Sequence, residues 1–319
     1  MFSFRLKMYF LIIIMFAIIY AFASMLAYSL FGVQNLTFYL ALSFFFLFIQ
    51  YMVGPKLVEW SMRIKYVEPR DYPELHRMVD ELSIKANIPK PRVGISQVQL
   101  PNAFAFGRWK KDGRVCVTEG ILMLLSPDEL KAVLGHEISH LKNRDVLTIT
   151  LLSVIPLILY RIGWHLLYFR GGSRNRDSGY TALIGLAAFI FYFITNLLVL
   201  YASRIREYFA DRGSINLGNS PQHMATALYK LVYGSARLPK ESLREVEGLK
   251  AFFVNDPSRG LREIRDLKAL DMDKSGTIDY NELLAIRTKT LKLSFADKML
   301  EVLSTHPNML KRIKQLSNF

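Results

Sequence analysis

Residues 136–140 read His-Glu-Ile-Ser-His, and this stretch decides the chemistry and the fold that we expect of the chain. Two histidines four residues apart lie on one face of an α-helix, so both imidazoles can bind one metal ion. Glu137 follows the first histidine and can serve as the base for a water molecule at that metal. Zinc suits this role because it lowers the pKa of a bound water to about 7. The stretch therefore predicts a catalytic zinc site at His136, Glu137 and His140.

The residues before the motif favour a stable helix over a chance pentapeptide. Ser126 can cap the helix, Pro127 suits its first position, and Glu129 completes a capping box. Apolar residues follow at helical spacing: Leu130, Val133, Leu134, Ile138 and Leu141. Tetrahedral zinc that holds two histidines and a water still needs one protein ligand, which another part of the chain must supply.

The best source of that ligand is the stretch RIREYFAD at residues 204–211. Glu207 and Asp211 are four residues apart, so they share one face of a helix. A carboxylate ligand with a second acid one turn later fits a metal ligand followed by a group that orients a ligating histidine. Solvated acids among arginines are the alternative. We predict Glu207 as the third zinc ligand and Asp211 as the orienting group.

Together these motifs resemble the gluzincin membrane peptidases of the HtpX and CAAX prenyl protease type. The resemblance covers most of the chain, and the few apolar stretches favour the HtpX type. It implies that His136, His140 and Glu207 bind zinc and that Glu137 is the catalytic acid and base. The matching stretches are HEISHLKNRD at 136–145, REYFAD at 206–211, PNAFA at 101–105 and THP at 305–307.

The resemblance also implies further site residues near the C-terminus and before the motif helix. His306 is expected to stabilise the oxyanion of the tetrahedral intermediate, with helix capping or packing as its alternative role. Arg312, on a helix that Pro307 can open, is expected to orient substrate or a ligand. An edge strand onto which an extended substrate adds itself is expected at Asn102, Ala103, Phe104 and Ala105. An ordinary structural strand is the alternative there.

Four apolar stretches indicate membrane helices, each close to the length that crosses a bilayer. The stretch 146–169 contains Arg161 and His165, so it either crosses the bilayer or only half enters it. His140 precedes this stretch and Glu207 follows the last one, so one metal ion can join them only if both lie on the same membrane face. The stretches are residues 8–31, 36–55, 146–169 and 180–203.

Lysines and arginines flank these stretches unequally, ten on the side of the predicted zinc site against three on the other. This bias predicts a multi-pass protein of the cell membrane whose catalytic domain faces the cytoplasm. The net charge of +14 comes without a nucleic-acid motif, so anionic lipid headgroups are the expected partner of the basic residues. The single Cys116 excludes an intrachain disulfide and is consistent with a reducing compartment.

The expected fold is an α-helical membrane protein with an α+β, zincin-like catalytic domain, mostly α with one small antiparallel or mixed sheet. Within that domain we predict helices at 73–86 and 221–233, a strand at 92–96, and a hairpin whose strands flank an Asp-Gly turn at 112–113. The predicted parts are a transmembrane hairpin at 1–57, a first catalytic half at 58–145, a second transmembrane or re-entrant hairpin at 146–203, and a second catalytic half at 204–319.

A second metal motif lies in that last part, at residues 271–282. The sequence DMDKSGTIDYNE matches the EF-hand calcium loop, with Gly276 at the sharp turn and a glutamate at its last position. Apolar residues at helical spacing flank it, so we predict an EF-hand-like insertion at 261–292, with a solvated acidic loop as the alternative. The calcium ligands would be Asp271, Asp273, Ser275, Thr277, Asp279 and Glu282.

The function that these features favour is a membrane-embedded zinc endopeptidase that hydrolyses membrane or misfolded proteins in quality control. Its expected partners are such polypeptides and the lipid bilayer, not nucleic acid, and a homo-oligomer stays open. The alternatives are a CAAX-type processing protease, whose relatives have more membrane spans, and a catalytically inactive, calcium-responsive membrane scaffold.

Overall fold

A computed structural model describes residues 48–49, 51–168, 178–236, 267, 270–288 and 294–319. Most of the predicted hairpin at 1–57 and parts of the predicted insertion at 261–292 lie outside the described residues. The chain divides into two compact units. One contains residues 55–146 and the chain from 203 onward, and the other includes the apolar helices between 147 and 202.

A four-stranded mixed sheet lies in the first of these units. Its strands are β1 (Ile64–Tyr66), β2 (Arg92–Ser96), β3 (Ala103–Phe106) and β4 (Arg114–Thr118), in the order β1-β2-β4-β3. β2 and β4 run parallel, whereas β1 and β3 are antiparallel to their neighbours. β4 lies in the interior of the sheet and is buried along its whole length. The small mixed sheet is confirmed, and β3 forms one of its edges.

The connection between β3 and β4 corrects one prediction. A tight Asp-Gly turn needs positive φ angles, but Gly113 has a φ of −65° and is extended. A short 3₁₀-helix, Lys110–Asp112, makes the connection instead. The side chain of Asp112 accepts hydrogen bonds from the backbone N–H and Nε of Arg108, at 3.3 and 2.7 Å, and so holds this longer loop.

Most described helices belong to the unit that contains the sheet. The capping box of α3 is present as predicted, because Ser126 and Glu129 each accept the other's backbone N–H. Asn308 caps α9, so that helix begins after the position predicted from Pro307. The helices after β1 whose bounds the structure describes are, in chain order, α1 (Pro73–Ala86), α2 (Glu119–Leu124), α3 (Pro127–Asn143), α4 (Asp145–Tyr168), α5 (Ser178–Asn216), α6 (Pro221–Ala236), α7 (Tyr280–Thr288), α8 (Phe295–Val302) and α9 (Met309–Leu316).

The core of this unit surrounds α3, which carries the motif. α3 packs against α1, α6 and the edge strand β3, and α6 packs in turn against α9. Leu134 and Ile138 of α3 are fully buried, as their helical spacing predicts. The motif helix is therefore a central element, which fixes the direction of the side chains that it carries.

The other unit contains the apolar parts of α4 and α5. Both helices are long and apolar enough to cross a membrane, yet only 33% and 28% of their most apolar windows are buried. A core helix of a soluble protein would bury much more of its apolar surface. The two helices approach closely where Gly163 lies against Phe189 and Gly185 lies against Leu167. Their apolar outer faces suit a bilayer.

Candidate active site

Two helices bring the predicted zinc ligands together. His136 and His140 lie on α3, and Glu207 lies on α5. The two Nε2 atoms are 3.1 Å apart, Nε2 of His136 is 3.5 Å from Oε2 of Glu207, and Nε2 of His140 is 3.6 Å from Oε1 of Glu207. All three side chains are largely buried. One ligand atom from each of the three residues thus lies within 4.8 Å of the other two, and we call this group of side chains the triangle.

The size of this triangle matches a zinc site. Zinc binds nitrogen and oxygen at about 2.0–2.2 Å, and tetrahedral angles then place the ligand atoms about 3.3 Å apart. The nitrogen–nitrogen distance of 3.1 Å and the two nitrogen–oxygen distances of 3.5 and 3.6 Å, which end on different oxygens of Glu207, lie on either side of that value. Two imidazoles and a carboxylate are also a common ligand set of catalytic zinc. The residues present therefore fit the metal that the sequence predicts.

A carboxylate contacts the Nδ1 atom of each histidine, on the side of the ring opposite the Nε2 atom that faces the site. Nδ1 of His136 lies 2.8 Å from Asp211 Oδ1, and Nδ1 of His140 lies 2.6 Å from Asp145 Oδ2. Nδ1 carries the proton in each contact, so both Nε2 lone pairs face the site. Sequence reasoning found Asp211 but missed Asp145, which also pairs with Nε of Arg206 at 3.1 Å. Its position at the end of the HEISHLKNRD stretch was the available signal.

Arg312 neutralises the acidic side of the site. Its Nε and Nη2 donate to the two carboxylate oxygens of Asp211 at 2.9 and 2.6 Å, and Nη1 lies 3.2 Å from Oε2 of Glu207. Burial opposes the charge on Arg312, but the two carboxylates outweigh burial and raise the pKa of the guanidinium. The side chain is fully buried. Of its two predicted roles, the geometry favours orienting a ligand over contacting substrate.

The carboxylates around His136 favour a positive charge on its imidazole. Burial lowers the pKa of an imidazole, but the hydrogen bonds to Asp211 and Glu207 raise the pKa of His136 to about 9. A cation is therefore favoured at this position, whether it is a proton or a metal ion.

Two glycines allow α3 and α5 to approach closely enough to form the site. A Cβ atom at Gly213 would lie 2.0 Å from Oγ of Ser139, and one at Gly135 would lie 2.8 Å from Oγ of Ser214. The Ser214 hydroxyl also donates to the carbonyl of Ala132 at 2.6 Å. Sequence reasoning did not single out these residues, because only the helix crossing makes their small size necessary.

Glu137 faces the edge of the sheet. It is buried, and burial raises its pKa. The backbone N–H of Ala105 in β3 hydrogen-bonds to its carboxylate. Thr118 of β4 donates its N–H to the carbonyl of Asn102, and bonding alternates along an antiparallel pair. Ala103 and Ala105 therefore direct their backbone groups to the side of β3 that has no partner strand among the described residues, which we call the open edge, although Ala103 is itself buried. The edge predicted for substrate thus lies beside the predicted base.

Asn102 and Phe104 have a different role from Ala103 and Ala105. Both side chains are buried, and the backbone of Asn102 is engaged by the hydroxyl of Thr118 as well as by its N–H. Asn102 therefore anchors the start of the strand rather than offering its own backbone groups at the edge.

His306 also enters the site. Its Nδ1 lies 3.5 Å from Oε2 of Glu207, too far for a good hydrogen bond. Neither ring nitrogen has a hydrogen-bond partner among the described residues, although the side chain is buried. Such a buried polar group is costly unless a ligand or substrate uses it.

The sequence profile of peptidase family M48 matches residues 69–319, which include every residue of this site. The chain belongs to that family. It is a membrane metallopeptidase, because the family's peptidase chemistry here accompanies a zinc-type ligand set and long apolar helices with exposed faces.

Relatives agree with this membership. A protease HtpX homolog of Methanothermobacter thermautotrophicus is 50% identical over 228 residues, covering 72% of this chain and 85% of the relative. One from Thermoplasma acidophilum is 34% identical over 272 residues, covering 84% of this chain and 80% of the relative. The crystal structure of S. mikatae Ste24p shares the fold, with a TM-score of 0.51 at 15% identity over 98% of this chain and 67% of that one.

The second acidic cluster of this M48 chain is the 271–282 loop. Carboxylate oxygens of Asp271, Asp273 and Glu282 lie within 4.8 Å of one another. Asp271 accepts the N–H groups of Ser275 and Gly276, each at 3.0 Å. Glu282 accepts those of Met272 and Asp279 at 2.5 and 2.9 Å. Backbone donors therefore already satisfy much of the negative charge in this loop.

The loop is anchored on α6. The hydroxyl of Thr226 donates to the carbonyl of Ile278 and accepts its N–H, both at 3.0 Å, and the Ile278 side chain is fully buried. The hydroxyl of Tyr229 donates to Oδ2 of Asp271 at 2.7 Å. Paired EF-hands usually meet through their loops. Here α6 holds the loop backbone, and α6 belongs to the unit that contains the sheet and α3, which we call the catalytic unit.

Proposed function

We propose that His136, His140 and Glu207 hold one zinc ion and that the chain uses it to hydrolyse peptide bonds. The observation that carries this proposal is the triangle of ligand atoms, with Nδ1 of both histidines held by carboxylates. A zinc ion there would polarise the scissile carbonyl and make a water nucleophilic at neutral pH.

Glu137 acts as the base and then as the acid. It takes a proton from the attacking water at a carboxylate oxygen and passes that proton to the amine nitrogen that leaves. Burial raises its pKa, which moves the carboxyl toward the range in which it can both accept and release a proton. Its contact with the N–H of Ala105 holds it beside the open edge of the sheet.

Substrate binds as a further strand on β3. Ala103 directs its N–H and C=O groups to the open edge, and Ala105 directs its C=O group there, since the N–H of Ala105 contacts Glu137. Pairing with these backbone groups does not depend on substrate sequence. This mode suits unfolded or loosely folded polypeptides, which can adopt an extended form. His306 then donates to the oxyanion that develops on the scissile carbonyl, which would satisfy a buried ring that otherwise has no partner among the described residues.

The substrates that this arrangement favours are membrane or misfolded proteins, cleaved at the cytoplasmic face in quality control. The lysine and arginine bias supports the cytoplasmic orientation. Processing of CAAX-type substrates is the second candidate within the same chemistry, and a homo-oligomer remains compatible with either. A scaffold without activity is disfavoured, because every residue of the zinc triangle and the base is present.

The test is hydrolysis of an unfolded polypeptide by the purified, membrane-reconstituted chain, with zinc measured in the same samples. We expect about one zinc ion per chain and cleavage that Glu137→Gln abolishes. Comparing membrane proteomes of cells with wild type and with Glu137→Gln would identify the substrates. Accumulation of prenylated CAAX precursors alone in the variant would favour the second candidate.

We also propose that the 271–282 loop binds one calcium ion through Asp271, Asp273, Ser275, Thr277, Asp279 and Glu282. The cluster of three carboxylates supports this assignment. An affinity in the range of about 10⁻⁶–10⁻³ M is expected for such a loop. Because the loop is held by α6, which packs on the motif helix α3, bound calcium would stabilise the catalytic unit.

A further inference from the structure

Helix α8 presents its apolar side outward. Phe295, Met299, Val302 and the following Leu303 are exposed by 80%, 49%, 41% and 54%. Their spacing places them on one face of the helix, and we call this face the α8 stripe. The opposite side carries Glu301, which is buried. Helices on the surface of soluble domains show the reverse pattern.

Polar contacts fix this orientation. The Glu301 carboxylate forms an ion pair with Nζ of Lys311, and its Oε1 accepts the backbone N–H of Asn308 at 3.4 Å. Rolling the helix to bury the stripe would pull a buried carboxylate away from its cation, which is strongly unfavourable. The outward position of the stripe is therefore built into the packing of α8 against α9.

Arg204 of α5 holds the end of α8. Its Nη1 donates to the carbonyls of Glu301, Val302 and Ser304 at 2.9, 2.8 and 2.7 Å. These carbonyls belong to the last turn of α8 and the residues after it, where helix carbonyls lack partners of their own. A buried arginine thus ties the stripe to one defined point on α5.

That point is where α5 changes from apolar to charged. Residues 180–203 contain no charged side chain, and Arg204 is the first to follow. α5 runs without a break through this position. In a helix that spans a bilayer, such a change marks the boundary between hydrocarbon and headgroups. The end of the α8 stripe, tied to Arg204, lies within about one helix diameter, roughly 10 Å, of that boundary.

We propose that α8 is an interfacial helix that docks on the bilayer surface through the α8 stripe. Interfacial helices bury one apolar face about 5–10 Å into the boundary between lipid headgroups and acyl chains. The four apolar side chains of the α8 stripe provide such a face. Lys298 is exposed beside the stripe and suits an anionic headgroup. The chain after α8 leads directly to His306, so the same contact holds the segment that delivers this side chain to the site.

Depth-dependent quenching tests this proposal on the full chain. Single cysteines are introduced as Phe295→Cys or Met299→Cys, labelled with a polarity-sensitive fluorophore, and reconstituted into vesicles of phosphatidylcholine and phosphatidylglycerol. The native Cys116 is fully buried and does not compete for the label. Ile84→Cys on α1 and Met123→Cys on α2 are matched controls, because these apolar residues are also exposed, by 73% and 76%.

We expect a nitroxide quencher on the lipid acyl chains to quench the labels at positions 295 and 299 several-fold more than the control labels. Equal quenching at all four positions would overturn the proposal. Labels at 295 and 299 that are shielded from water but not quenched from lipid would also overturn it. Crosslinking between chains at position 299 would then assign the stripe to a second copy, and shielding only on addition of an unfolded polypeptide would assign it to substrate.

Discussion

The two acidic metal-type clusters of this chain are assembled in opposite ways. The zinc-type triangle joins two helices that are distant in sequence, and side chains far along the chain hold two of its members, Asp211 for His136 and Arg312 for Glu207. The 271–282 loop is one short segment whose carboxylates accept N–H groups from its own backbone. One cluster depends on the tertiary fold, and the other depends mainly on local turns.

This difference determines what a metal ion contributes to each cluster. At the triangle, the two Nε2 atoms are 3.1 Å apart and lie 3.5 and 3.6 Å from the carboxylate oxygens of Glu207, so a bound cation or a proton on His136 is needed to stabilise the group. In the loop, backbone donors already compensate much of the charge, so calcium replaces existing hydrogen bonds. We therefore expect metal at the triangle to decide activity and metal in the loop to adjust stability.

The largest effect is expected at the base of the triangle. Glu137→Gln keeps the size of the side chain but cannot accept the proton, and loss of general-base catalysis alone costs about 10²–10⁴-fold in rate. Peptide hydrolysis should fall by at least about 10²-fold while zinc content stays unchanged. Glu119→Gln, an exposed residue on α2, is the control and should retain full activity. A fully active Glu137→Gln protein would remove Glu137 from the mechanism.

Replacing Arg312, the buried cation beside the triangle, should destabilise the fold. Arg312→Met leaves Asp211 and Glu207 buried without their counter-charge, which costs about 3–5 kcal/mol. Denaturant unfolding measures this loss. Arg77→Met is the matched control, since its ion pair with Glu74 is exposed to solvent and should contribute little to stability. Similar losses in the two variants would mean that the buried network carries no special stability.

The supporting carboxylates should tune zinc affinity by smaller amounts. Asp145→Asn weakens the support of His140, and Asp211→Asn weakens that of His136. Each should reduce zinc affinity by about 10–100-fold, measured by competition with a chelator. Asp128→Asn, at the exposed start of α3, should leave the affinity unchanged. If Asp145→Asn bound zinc like wild type, its contact with His140 would be incidental.

The residues of the triangle were predictable because their signals are local. The i,i+4 spacing of His136 and His140, and of Glu207 and Asp211, survives in the structure because helices keep that geometry. The support of His140 by Asp145 could not be derived in the same way, since it depends on how the chain turns after α3.

The close crossing of α3 and α5 is a tertiary feature that no local pattern specifies. Gly213 lies against Ser139 only because the two helices meet there, and a glycine within a helix has no other signal in the sequence. The outward face of α8 was missed for a related reason. Its pattern is amphipathic in either orientation, and only the contacts of Arg204 and Glu301 determine which side is buried.

The smallest of the expected effects concerns calcium in the 271–282 loop. Calcium must take over carboxylate oxygens of Asp271 that now accept N–H groups and the hydroxyl of Tyr229. Burial and hydrogen bonds to Tyr233 and Asp271 raise the pKa of Tyr229, so its hydroxyl stays protonated and competes as a donor. The net gain from the ion is therefore modest.

At ten times its Kd, calcium should stabilise the wild type by about 1.4 kcal/mol, the value that mass action gives for one site. Titration calorimetry and thermal melts measure binding and stabilisation, and Glu282→Gln should lose both because that residue is the expected bidentate ligand. Asp297→Asn, outside the loop, should respond to calcium like the wild type. No heat and no shift in the wild type would exclude the site. Binding with a shift but an unchanged rate of hydrolysis would show that the loop supports the catalytic unit without regulating it, as local compensation of its charges by backbone donors leads us to expect.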